Sequence, residues 1–174
     1  MSVKSNIWKG LKAKLLELKN EGVLKHYAIY NTQIESESTE IPFDFPALFV
    51  EFSSIIWERT GLRAVNSAQK NKQIGNVTIT FHIAFEKYSS ETDAFEEIDA
   101  EIDKIIEKFH VVVIDEFETA LLRSAERQDS NHNNVIVWQV DFTCMVQETF
   151  EDKTVIDATG GDENKLGLTI NTTI

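Results

Sequence analysis

Cysteine, proline and glycine are scarce in this chain. Its 174 residues include one cysteine, two prolines and seven glycines. One cysteine excludes an internal disulfide. Cys144 lies between apolar residues in a strand-like stretch, with Phe142 and Val146 near it. It therefore reads as a small buried side chain, since a reactive thiol needs a basic, partly exposed setting. So few prolines and glycines give little turn punctuation for a chain built mainly of short hairpins. No apolar run approaches the ~18 residues of a membrane span. With a lone cysteine and no signal-peptide pattern, synthesis in the cytoplasm is expected.

Motifs that carry chemistry are missing too. His26, His82, His110 and His132 fall at no zinc-ligand spacing. There is no G-x-G-x-x-G or G-x-x-x-x-G-K-[ST] phosphate cradle and no G-x-S-x-G nucleophile elbow. Asp129 and the turn SNHNN lack the ordered oxygens of a calcium loop. His82 sits on the mixed face of a strand and reads as a satisfied structural histidine. Carboxylates abound, but acid–base catalysis needs one of them perturbed by burial. Glu51, between Val50 and Phe52, is the most notable. It reads as an outward-facing charge paired with Arg59 or Arg63 rather than as a catalytic acid. No catalytic residue, metal site or cofactor is expected.

What is present fits a folded domain. Hydrophobic residues make up 42% of the chain and charged residues 26%, a globular composition. The net charge of −12 is uneven. Residues 1–30 carry six lysines against Glu17 and Glu21, a balance of +4, which leaves −16 for the remainder. An acidic body disfavours a phosphate backbone, whose binding depends on cations that release counterions.

Hydrophobic periodicity supplies the elements. Ile7, Leu11, Leu15 and Leu18 form one stripe on a helix from Asn6 to Asn20, closed by Gly22, with Trp8 beside the stripe. HYAIYN (26–31) is a strand. TQIESESTEIPFDF is a polar, acidic loop, and PALFVEFSSIIW is one buried strand with Leu48, Val50 and Phe52 on one side. Residues 58–74 read as a long loop. Val77, Ile79, Phe81, Ile83 and Phe85 then alternate with Thr78, Thr80, His82, Ala84 and Glu86, the clearest strand in the chain. A helix follows from Asp93 to Phe109, with a stripe at Phe95, Ile98, Ile102, Ile105, Ile106 and Phe109. Its acidic first half and Lys104 and Lys108 near its end suit the helix dipole. The strands ALLRSAERQDS and VIVWQVDFTCMV, joined by SNHNN, close a hairpin. The expected fold is α+β: an antiparallel sheet with two main helices packed on one face, spanning residues 1–148. Residues 149–174 form an acidic tail. Its alternating Leu166, Leu168 and Ile170 suit either a free terminus or a strand added to a neighbouring subunit's sheet edge.

This order of features resembles the tail-terminator and tail-completion proteins of long-tailed bacteriophages. The features are an opening helix and strand, the P-A-hydrophobic-hydrophobic-E-F type of segment at Pro46–Phe52, the strand at Asn76–Tyr88, an amphipathic helix and a closing hairpin. The likeness covers residues 6–148 and is one of pattern. It implies a virion structural protein that acts by binding, without turnover. Such proteins form a six-membered ring at the head-proximal end of the tail tube and meet the tube and the head-connector or neck proteins. DNA passes through the ring without specific binding, and no membrane is involved. The expected subunit contacts are Trp8, Lys9 and Lys12, Glu51, Arg59 and Arg63, and Leu166, Leu168 and Ile170. Two alternatives stand beside it: another neck, tail or injection-machine assembly subunit, and a small-ligand-binding protein or enzyme using the sheet's concave face.

Overall fold

A computed structural model describes residues 3–34, 43–58, 71–86, 93–113, 117, 119–129 and 135–150. The elements are α1 (Val3–Asn20), β1 (His26–Ile29), β2 (Ala47–Phe52), β3 (Ile56–Trp57), β4 (Asn71–Glu86), α2 (Asp93–Phe109), β5 (Leu122–Asp129) and β6 (Val135–Phe150). The sheet runs β1-β2-β4-β6-β5, with β3 also pairing β4. The fold is α+β.

Each helix buries the stripe that its spacing dictates. In α1, Val3, Ile7, Leu11, Leu15 and Leu18 are all buried. The helix starts three residues before the expected Asn6 because Val3 extends the stripe by one turn. Its end is set by Gly22, at φ 79. The Gly22 N–H donates to the Lys19 carbonyl (3.1 Å) and the Val23 N–H to the Leu18 carbonyl (3.0 Å). That is the paired closure in which a glycine takes the left-handed position and the residue after it packs back on the last turn. In α2, Ile98, Ile102, Ile105, Ile106 and Phe109 are buried. This helix ends without a glycine. Val111 takes the left-handed position at φ 64, held by backbone bonds between Val111 and Leu121 (2.9 Å) and between Leu121 and Val112 (2.8 Å). A β-branched residue there carries strain of ~1–3 kcal/mol.

Both helices share one core with one face of the sheet. Leu48 and Val50 of β2, the odd residues Val77–Phe85 of β4, and Val140, Phe142, Cys144 and Val146 of β6 join the helix stripes in a single cluster. Phe81 lies at its centre, with its ring 4.8 Å from Phe109 and 5.0 Å from Phe142. Cys144 is buried, and burial pushes its thiol up to about 12. The helix ends are tied by Lys108, whose Nζ lies 2.9 Å from both Glu17 and Glu21.

Three expectations need correction. The sheet is not wholly antiparallel, because β1 runs parallel to β2, from His26 opposite Ala47 to Ile29 opposite Val50. The stretch PALFVEFSSIIW is two strands. After Phe52, the Ser53 hydroxyl accepts a hydrogen bond from the Thr78 N–H (3.0 Å), so a side chain takes a ladder position and the chain bends before β3. Lys4 donates to the Ser53 carbonyl (2.8 Å), anchoring the start of α1 to this bend. Residues 71–74, read as loop, belong to β4, where they pair with residues 147–150 of β6. β6 thus runs two residues beyond the expected domain limit at 148. Across from the bend, Gly75 pairs with Trp57. A Cβ at Gly75 would lie 2.7 Å from both Ile55 and Trp57 side chains, so the position needs a residue without one.

Candidate functional site

The sheet's other face bears no helix among the described residues. Alternation places Ala47, Phe49 and Glu51 of β2 there, with Thr78, Thr80, His82 and Ala84 of β4 and Val137, Gln139, Asp141 and Thr143 of β6. It has two zones. At one end Ala47, Phe49, Ala84, Val135 and Val137 form a second, smaller core with Ile34, and Tyr30, Phe43 and Phe45 pack against it. Phe43 meets the Phe49 ring edge-on at 5.0 Å and stacks on His26 at 5.4 Å.

The other zone is polar, and register brings its side chains together. Thr80 lies opposite Glu51 on one side and Asp141 on the other, and His82 lies opposite Gln139. The Thr80 hydroxyl donates to Asp141 at 2.6 Å. Arg127, from β5, reaches diagonally to the second oxygen of Asp141 at 2.7 Å. The Gln139 amide donates to Asp129 at 2.9 Å. Burial works against a charge on Asp141, but the Thr80 hydroxyl and the Arg127 guanidinium outweigh it and hold the carboxyl below the usual aspartate range.

His82 stands on the border between the zones. It is the one buried polar side chain among the described residues, 5% exposed. Its Nε2 lies 2.8 Å from a Glu51 oxygen. The Tyr30 ring stacks over it, centroids 4.0 Å apart and planes within 4°. Its Nδ1 has no hydrogen-bond partner among the described residues. A histidine oriented by a carboxylate is part of a nucleophile-activating arrangement. The nearest β4 hydroxyl, Thr80, is committed to Asp141 instead. The arrangement clamps Tyr30 and β2 to the sheet.

No protein-family model matches the chain, and no curated protein matches it. Its geometry therefore carries the reading of the site.

The expected contact residues scatter. Lys9 and Lys12 are exposed on α1, and Trp8 is partly buried against the main core. Glu51 does project from the helix-free face, and its partner among the described residues is His82. Arg59, Arg63, Leu166, Leu168 and Ile170 lie outside the described residues. Sequence reasoning missed the Glu51–His82 and Asp141–Arg127 pairs. The signal for them was weak: polar residues on the second face of three strands whose relative register depends on long-range pairing. Among the described residues no three His, Cys, Asp or Glu side chains gather as a metal site. No described helix is long and apolar enough to cross a membrane.

Proposed function

We propose that this chain is a structural subunit of a long-tailed phage virion, a tail terminator that forms a ring at the head-proximal end of the tail tube and joins it to the connector. The observation that supports this reading is the order of elements. An opening helix and strand, the Ala47–Phe52 strand, the long β4, an amphipathic helix and a closing β5–β6 pair follow one another as the resemblance implies. On the helix-free face Thr80 and Arg127 are engaged with Asp141, and His82 with Glu51, which suits a surface that binds more than one that turns substrate over. The acidic balance of residues 31–174 suits a channel that lets DNA slide past.

Electron microscopy of tails assembled with and without the protein tests the proposal. The expected result is a ring at one end of the tube when the protein is supplied, and tubes of uncontrolled length when it is withheld. Tubes of normal length that join heads without it would overturn the reading.

A further inference from the structure

The sheet edges are poor places for a second copy to add. β5 carries Arg123, Glu126, Arg127 and Asp129 within eight residues and has a register break between Arg123 and Ala125. β1 is four residues long. Short, charged and irregular edges resist strand addition. The outer faces of the two helices are different.

On α1, Lys9, Lys12, Leu16 and Lys19 are exposed. Their spacings of three, four and three place them within an arc of about 80°, over a length of about 15 Å. Leu16 is 48% exposed at the middle of this stripe, and Trp8 flanks it. On α2, Glu96, Asp99, Asp103 and Glu107 are exposed. Their spacings of three, four and four also fall within about 80°, over about 16 Å. Exposed Ala100 lies beside them and leaves room for an approaching side chain.

Within one molecule the two stripes do not neutralise each other. The helices are tied through Lys108, Glu17 and Glu21 at their ends. Lys12 and Lys19 pair with no carboxylate among the described residues, and Glu96, Asp99 and Asp103 pair with no cation there. Two exposed faces of opposite sign, equal pitch and similar length on one chain are complementary between copies.

We infer that the lysine stripe of α1 docks on the carboxylate stripe of α2 in a second copy of this chain, Leu16 packing at the centre of the contact. The pairing is head-to-tail, so an open pair leaves one stripe of each sign undocked and a closed ring satisfies them all. It rests on the ring reading for its closure, while the contact itself stands on the two helix faces.

Sedimentation velocity of the full chain at low ionic strength tests it, using two variants whose changes lie at exposed positions: Lys12→Glu with Lys19→Glu, and Glu96→Lys with Asp103→Lys. Each variant alone is expected to associate at least tenfold more weakly than the parent. Mixed one to one, they are expected to recover association, because the reversed stripes match again. Circular dichroism melts confirm that each variant is folded. A parent that stays monomeric at millimolar concentration, variants that associate as the parent does, or a mixture that does not recover would each overturn the inference. Rings on tail tubes that survive both reversals would sink this contact and leave the ring reading intact. Salt-sensitive pairing in a protein that forms no ring on tubes would do the reverse.

Discussion

The two faces of this sheet are made from the same strands, yet they are held by different physics. On the helix-covered face every second residue of β4 from Val77 to Phe85 is apolar and buried, and two helix stripes close over it. On the other face the intervening residues split into a small aromatic core and a set of paired polar groups around Thr80, His82 and Asp141. The covered face draws on area removed from water, which is large and non-directional. The other face depends on register, because a one-residue slip would part Thr80 from Asp141 and His82 from Glu51. Stability resides mainly in the first, and the second specifies the pairing.

Substitutions on each face should separate the two contributions. The largest effect is expected from Phe81→Ala, which removes the ring between Phe109 and Phe142 in the covered core and should cost about 3–5 kcal/mol in chemical denaturation. A loss under 1 kcal/mol would show that the helices do not carry the fold. Next, Gly75→Ala should cost about 1–3 kcal/mol, because its Cβ would overlap the Ile55 and Trp57 side chains. The paired double variant Gly75→Ala with Trp57→Ala should lose much less than the sum of the two single losses.

Asp141→Asn should cost about 1–2 kcal/mol near neutral pH, as a charge-assisted bond weakens and Arg127 loses its partner. Its pH dependence has a definite sign. The native carboxyl lies below its ordinary value of 3.8, so its contribution is complete above that value and is lost as pH falls through the lower native one. The Asn variant should therefore lose less stability than the parent on acidification below pH 3.8. Equal acid sensitivity in the two would show that Asp141 is not held as described. The smallest effect runs the other way. Val111→Asn should stabilise by about 0.5–1 kcal/mol, since Asn tolerates the left-handed conformation that a β-branched residue resists.

Much of this architecture was legible because it is local. The stripe Ile7–Leu18, the alternation Val77–Phe85 and the stripe Ile98–Phe109 each state their partner face through spacing alone. The misreadings were non-local. Nothing in HYAI says that its neighbour will run parallel, and Asn71–Ile74 show no alternation because their pairing is imposed by β6. The bend after Phe52 depends on one hydroxyl of Ser53, which looks the same in a strand until Thr78 is placed beside it. The Glu51–His82 contact was hidden for the same reason, since the two residues are 31 positions apart and meet only through register.

The burial of Cys144 has a practical consequence. With its thiol pushed up to about 12 and its side chain in the main core, the native sulfhydryl should ignore maleimide dyes while the protein is folded. One cysteine introduced at an exposed position would then accept a single fluorophore per chain with no need to replace the natural residue. Photobleaching steps on individual particles would count the copies in an assembly directly.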